Sequence, residues 1–266
     1  MTRILGVDFS GASDAGRKIW IAEGRQDGNG ALELLSCVAA IDLPGGGKAP
    51  AVAVPALARH IAALGDARVG CDFPFSLPRD LVGARTWRSF TIRYAADFAD
   101  ADTFRSLMRT RHNAAEHKRM TDRIAKTPFN SYNLRLYRQT WWGISGLLHP
   151  LIARRAAIVR PQQRLNRGKP TLIEVCAACT LKSIDLYPPY KGKDASHRRA
   201  RRRILGGLID RGALAAPDRR MRTLLLDNEG GDALDAAIGA VATARADLTQ
   251  EADVWQRLEG RVYFEL

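Results

Sequence analysis

The chain has 266 residues, 46% of them hydrophobic, so it can bury a substantial core in one domain or in one domain with an insertion. Its apolar runs are too short to span a bilayer, and no basic-then-apolar leader opens the sequence, so we expect no membrane association. Four cysteines are too few for a disulfide scaffold of this size, which favours reduced thiols and a cytoplasmic location.

The formal net charge is +13, and the basic residues are concentrated in the middle of the chain. Residues 85–222 hold 30 lysines and arginines against 10 aspartates and glutamates, a balance of +20, whereas the remainder holds 11 against 18, a balance of −7. Arginine accounts for 33 of the 41 basic residues, and its planar guanidinium can bind two phosphate oxygens at once. Biased composition alone would not concentrate the charge, so we predict a polyanionic partner, DNA or RNA.

The first third of the chain is predicted to form four strands and one helix. Three strands are indicated, over residues 3–9, 18–25 and 31–39. The Asp-Gly-Asn-Gly sequence between the second and third strands predicts a hairpin turn. Apolar residues at helical spacing over 54–64 predict a helix, and the apolar run at 67–73 predicts a fourth strand. This order describes an antiparallel meander followed by a crossover back into the same sheet.

The rest of the chain is mostly helical in pattern. Residues 85–165 are predicted to form a largely helical, basic insertion in a single domain of residues 1–266. Further elements are indicated as a strand at 171–176, helices at 197–208 and 231–245, and a last strand at 261–266. We therefore predict an α/β fold with a mixed sheet, an antiparallel three-strand meander plus parallel strands, flanked by helices.

Four aspartates stand at the ends of predicted buried elements. Asp8 and Asp72 each close an apolar strand, and Asp232 and Asp235 lie on one side of the start of the last helix. Burying several carboxylates together is unfavourable without a cation, and Mg²⁺ or Mn²⁺ prefers an all-oxygen set. We predict Asp8, Asp72 and Asp235 as metal ligands, with Asp232 completing the shell. Two-metal sites of this kind hydrolyse phosphodiesters.

Each of these acids also has a structural interpretation. Asp232 is suited to begin a helix after Gly-Gly, and Asp235 to interact favourably with the helix dipole. Asp8 and Asp72 are suited to bind loop amides or to form turns. Glu174, inside the predicted strand at 171–176, is either a further ligand or base, or a buried residue with a structural partner. The conjunction of the four aspartates is what favours a metal site.

The densest basic segment is His-Arg-Arg-Ala-Arg-Arg-Arg at 197–203. On a helix its arginines would cover most of the surface and leave Ile204 and Leu205 to pack. A solvated face is the ordinary outcome for such a run, but its position in the +20 segment favours contact with phosphates. The predicted nucleic-acid-binding residues are Lys191, Arg198, Arg199, Arg201, Arg202 and Arg203.

Several of these motifs, taken in order, resemble the predicted nucleases of the domain-of-unknown-function family 429. They are GVDFSGA, CDFPFSLP, LIEV, YKG followed by basic residues, and GDALDAAIGAVATAR, and together they span nearly the whole chain. The resemblance implies a ribonuclease H-like fold, in which the first strand, the fourth strand and the last helix supply metal-binding acids. Asp8, Asp72 and the Asp232/Asp235 pair match those positions. The family's Glu-Val motif usually continues into proline, whereas Val175 is followed here by Cys-Ala-Ala.

These observations predict a metal-dependent nuclease that hydrolyses phosphodiester bonds by a two-metal carboxylate mechanism with Mg²⁺ or Mn²⁺. Two alternatives remain open. Actin-like ATPases and sugar kinases also begin with a strand and a Gly-x-Asp phosphate loop, but a second such loop is not found late in this sequence, and the chain is short for a duplicated domain. A non-catalytic nucleic-acid-binding protein agrees with the +20 segment but leaves the aspartates unexplained.

Overall fold

The computed structural model describes residues 2–111, 116–166 and 168–266. The first three strands form the predicted antiparallel meander, with a short helix α1 (Ala15–Lys18) between the first two. They are β1 (Arg3–Asp8), β2 (Trp20–Gln26) and β3 (Leu32–Ala39). Helix α2 (Pro50–Ala62) then returns the chain to the sheet, where β4 (Ala67–Asp72) pairs in parallel with β1.

The predicted insertion is largely helical. Its helical elements are α3 (Trp87–Asp97), α4 (Ala101–Arg111), α5 (Met120–Ile124), α6 (Tyr137–Trp141), a π-helical segment (Trp142–Leu148) and α7 (His149–Ala153). Residues 112–115 of the predicted range lie outside the described residues. Strand β5 (Ile158–Val159) also falls within the range and pairs with β6 (Thr171–Val175), so this end of the range belongs to the sheet.

The C-terminal third completes a seven-stranded mixed sheet. Its elements after β6 are α8 (Ala177–Ser183), α9 (Ala195–Asp210), α10 (Arg219–Asp227), α11 (Asp232–Arg245), α12 (Gln256–Glu259) and β7 (Val262–Tyr263). The strand order is β3-β2-β1-β4-β6-β5, with β7 also paired to β6. The α/β class and the mixed sheet are therefore confirmed, with the boundaries of the individually predicted strands and helices shifted by at most four residues. Within the described ranges, no helix is long and apolar enough to cross a membrane.

Helices cover both faces of the sheet, and successive residues of β1 belong to different cores. Leu5 and Val7 lie in a cluster with residues of α2 and the insertion, whereas Ile4 lies in a cluster with α11. Burial on both faces explains why β1 is an almost continuous apolar run rather than an alternating one. Leu234 and Ile238 of α11, both in this second cluster, are fully buried.

Two glycines let α11 pack directly on the sheet. A Cβ on Gly6 would lie 2.1 Å from backbone atoms of α11, and one on Gly70 would lie 2.0 Å from the hydroxyl oxygen of Thr243. Residues two apart on a strand point to the same face, so Asp8 and Asp72 point toward the face that α11 covers. The glycines thus bring the start of α11 close to the ends of the two strands.

Candidate functional site

The four aspartates predicted from the sequence line one cavity of about 330 Å³. Asp8 ends β1 and Asp72 ends β4, and the two are direct partners in the parallel register, so their backbones are about 4.8 Å apart. Asp232 and Asp235 lie in the first turn of α11. The structure therefore brings the four side chains together at the carboxyl ends of the parallel strands.

The cavity opposes full ionisation of these carboxyl groups. Asp8 and Asp72 keep part of their surface open to the cavity but are otherwise enclosed by protein. Desolvation, together with the nearby charge of Asp235, raises the pKa of Asp8 well above its usual value and that of Asp72 to about 7. Desolvation also raises the pKa of Asp235 and of Asp232. The cluster consequently retains protons near neutral pH unless further positive charge enters the cavity.

Lys191 supplies one positive charge to the cluster. Its Nζ lies 2.6 Å from Oδ2 of Asp235, and the hydroxyl of Tyr190 donates a hydrogen bond of 2.6 Å to Oδ1 of the same carboxylate. Desolvation acts to lower the pKa of Lys191, but the carboxylates of Asp235 and Asp8 outweigh it and raise the pKa. The Lys191 side chain is 54% exposed and that of Asp235 only 4%, so the ammonium group can turn toward solvent while the carboxylate stays in place.

Arg201 holds the loop that presents Lys191, which corrects the prediction that it binds nucleic acid. Its Nη1 donates to the carbonyl oxygens of Tyr190 at 2.6 Å and Gly192 at 3.0 Å, and its Nε donates to that of Leu226 at 2.7 Å. Arg201 is 1% exposed because it lies on the face of α9 that packs inward. A guanidinium so buried and so occupied cannot reach a phosphate backbone.

The other arginines of α9 lie at the surface. Arg199, Arg202 and Arg203 are exposed. Arg198 is partly exposed and forms a surface ion pair with Asp227, with Nε 2.6 Å from Oδ1. Such surface pairs contribute little to stability and exchange readily for another anion. The predicted basic surface of α9 is therefore reduced to these four arginines.

Glu174 lines the same cavity but has its own partners. Its Oε1 lies 2.5 Å from Nη2 of Arg119, and its Oε2 accepts hydrogen bonds from Nη1 of Arg119 at 2.8 Å and from the backbone nitrogen of Phe75 at 3.0 Å. Arg119 also binds Asp122 and is itself buried. Burial raises the pKa of Glu174, and the charge of Arg119 acts in the opposite direction. These contacts favour the structural interpretation of Glu174.

Sequence reasoning missed the partners of the predicted acids. Arg119 stands 55 residues from Glu174 in a segment with many arginines, and no spacing distinguishes it. Tyr190 follows two prolines and has the composition of an ordinary loop residue. Gln139, which donates a hydrogen bond to the carbonyl oxygen of Asp72, likewise belongs to a different segment of the chain. Lys191 was predicted as a nucleic-acid-binding residue because of its basic neighbours, and not as a partner of Asp235.

The side chains of the cavity are of the chemical type that binds a hard divalent cation, but they are not arranged as a metal site. Four carboxylates form the oxygen-only set that Mg²⁺ and Mn²⁺ prefer over softer ligands. Within the described part of the chain, however, no three His, Cys, Asp or Glu side chains are arranged as a metal site. Lys191 binds one oxygen of Asp235, and Oδ2 of Asp72 accepts from the backbone nitrogen of Ala177 at 3.3 Å. A cation that bound Oδ2 of Asp235 would therefore have to displace Lys191 from it.

Fold and site together define a mixed α/β protein with an acidic cavity at the carboxyl ends of its parallel strands. Comparisons of the chain with protein-family models, with curated proteins and with solved structures return no match. The resemblance to family 429 thus stays an expectation from short motifs, and the cavity itself has to indicate the function.

Proposed function

We propose that the protein is a metal-dependent nuclease, with Mg²⁺ or Mn²⁺ held by the aspartates of the cavity. The observation that carries this proposal is the convergence of four carboxylates with raised pKa values on one cavity. Keeping several desolvated acids together is unfavourable unless a cation stabilises them. Tyr190 and Lys191 line the cavity, and the arginine-rich helix α9 begins four residues after Lys191, with exposed arginines that suit a phosphate backbone.

The arrangement of the elements supports a ribonuclease H-like assignment. The resemblance implies acids on the first strand, the fourth strand and the last helix of such a fold. Here Asp8 stands on β1, Asp72 on β4, and Asp232 and Asp235 at the start of α11, which packs across β1 and β4. The antiparallel meander with parallel strands beyond it also agrees with that fold.

Each group in the cavity has a role in this proposal. Asp8 and Asp72 would hold the cation from adjacent strand ends, and Asp235 and Asp232 would hold it from α11. The chemistry that such a cation would supply is activation of a water and stabilisation of the leaving oxygen of the phosphodiester. Lys191 leaves Asp235 and pairs with a phosphate oxygen of the substrate, which keeps its charge inside the cavity. Glu174 holds Arg119, which also lines the cavity, in position through their ion pair.

Cleavage assays on labelled DNA and RNA of defined structure, with Mn²⁺ or Mg²⁺ against a chelator, test the proposal. Asp8→Asn and Asp72→Asn keep the shape of the side chain and remove its charge, so we expect folded variants whose cleavage falls at least about 100-fold. Asp66→Asn is the matched control, because Asp66 is exposed and lies immediately before β4, and it should cleave as the wild type does. Wild-type cleavage by both folded cavity variants would exclude the metal assignment.

A second candidate is a non-catalytic nucleic-acid-binding protein, and the Lys191–Asp235 pair favours it. If Lys191 stays on Asp235 permanently and the other acids remain partly protonated, the cluster needs no metal ion to offset its charge. This candidate predicts binding to nucleic acid in chelator and no cleavage with any divalent ion. The actin-like or sugar-kinase alternative predicts instead that ATP with Mg²⁺, and not an oligonucleotide, raises the thermal unfolding midpoint.

A further inference from the structure

The cavity that holds the aspartates has a second, apolar wall. This wall comes from the insertion, between α5 and the first turn of α6, and its residues are Pro128, Phe129 and Leu136. A metal ion and a phosphate need oxygen and cationic partners, so an apolar surface beside them indicates another part of the ligand. Ligand sites commonly combine such a surface with a few polar groups that fix the orientation.

Contacts behind the wall hold Phe129 in position. Lys118 Nζ lies 2.5 Å from the carbonyl oxygen of Thr127, and the Thr127 hydroxyl donates to the carbonyl oxygen of Phe129 at 3.2 Å. The guanidinium of Arg135 lies over the Phe129 ring, 5.3 Å from its centre. An aromatic ring held in this way is suited to stack against a flat ring of a ligand, because little side-chain freedom is lost on binding.

We propose that this wall receives an unpaired nucleobase, so that the substrate is single-stranded or locally unpaired nucleic acid. The inference rests on the proposed function, since it places the phosphate of the same nucleotide at the aspartates and Lys191. A cavity of about 330 Å³ has the size of a small-ligand site and takes one nucleotide rather than a duplex. A base inside a duplex has to leave the stack before it can enter such a cavity.

Two ligands that differ only in the base test this inference. We expect adenosine 5′-monophosphate to bind the Mn²⁺-loaded protein roughly 5- to 100-fold more tightly than ribose 5-phosphate, measured by calorimetry. Phe129→Ala should remove most of that ratio. Phe129→Leu, which keeps the bulk and loses the flat ring, should do the same if the alanine variant unfolds. Leu134→Ala is the control, because Leu134 is 64% exposed and does not line the cavity.

A second measurement uses the cleavage panel. The wild type should cleave a single strand at least tenfold faster than the same sequence in a duplex, and Phe129→Leu should lose that preference. Equal affinities for the two ligands, or a ratio that survives in the folded Phe129 variants, overturns the nucleobase site even if metal-dependent cleavage is present. Base-dependent binding without cleavage in any metal supports the nucleobase site and excludes the nuclease, so the two proposals fail separately.

Discussion

Asp72 shows how a single residue couples the cavity to pH. Its pKa of about 7 in the folded protein lies above its unfolded value, so the folded state binds a proton that the unfolded state releases between roughly pH 4 and 7. The contribution of Asp72 to stability is therefore present at low pH and is lost as the pH rises through 7. The carboxylate is thus tolerated in the fold at a cost that grows between about pH 4 and 7 and stays constant at higher pH.

The first prediction is that Asp72→Asn stabilises the metal-free protein at pH 8. Asparagine carries no charge at any pH, so the variant should gain about 1–4 kcal/mol in free energy of unfolding, and the gain should shrink toward pH 4. Urea denaturation in chelator across this range measures it, with Asp66→Asn as the exposed control. A gain that does not depend on pH would contradict the desolvation of Asp72.

Lys191 is predicted to compete with a metal ion for Asp235. Lys191→Gln removes the ammonium group, so Mn²⁺ should raise the unfolding midpoint at about tenfold lower concentration than in the wild type, a gain of about 1.4 kcal/mol. Lys193→Gln is the matched control, because Lys193 is exposed and two residues further along the same loop.

The variant Asp235→Asn tests whether the Asp235 carboxylate itself contributes to metal binding. In the wild type, a cation that binds only the folded state stabilises it by about 2.7 kcal/mol at a hundredfold excess over its dissociation constant. We expect little of that metal-induced stabilisation in Asp235→Asn, because the substitution removes one carboxylate oxygen and the negative charge. An identical Mn²⁺ dependence in the wild type and in the variants at positions 191 and 235 would assign these residues a purely structural role.

Among the elements, helix α9 presents two different faces, one with exposed arginines and one with the buried Arg201. Neutralising Arg199, Arg202 and Arg203 should weaken binding to nucleic acid and flatten its dependence on salt, by about 0.9 per lost contact on duplex DNA and about 0.7 on single strands. Arg201→Ala should leave the salt slope unchanged and lower stability by about 1–3 kcal/mol, because it frees buried carbonyl groups. Anisotropy titrations over a salt series, with thermal unfolding of each variant, separate the two effects.

The ion pair of Arg119 and Glu174 joins the insertion to β6 of the sheet. Arg119→Leu would leave Asp122 and Glu174 buried without their cation, so we expect a loss of about 3–5 kcal/mol in free energy of unfolding. Arg123→Leu, on the exposed side of α5, should change it by no more than about 0.5 kcal/mol. Urea unfolding of both variants measures the difference, and equal values would mean that the buried pair does not hold the insertion in place.

Most of the strands and helices, and the four aspartates of the cavity, are predictable from the amino-acid sequence. Strands and helices are visible in sequence because apolar periodicity is a local property, and the β-β-β-α-β opening follows from it. Asp8 and Asp72 could be recognised because a carboxylate at the end of an apolar strand is unfavourable to bury among its apolar neighbours. Gly6 and Gly70 lie two residues before each aspartate, and only the structure shows that they let α11 approach the sheet closely.

The burial of charged residues and the pairing of opposite charges could be seen only in the tertiary structure. Arg201 and Arg202 are neighbours in one basic run, yet one is enclosed by the loop at Tyr190 and the other is exposed. Arg119 reaches Glu174 across 55 residues, and Lys191 reaches Asp235 across the cavity. Such pairings depend on how distant segments pack against one another, and no period or spacing along the chain encodes them.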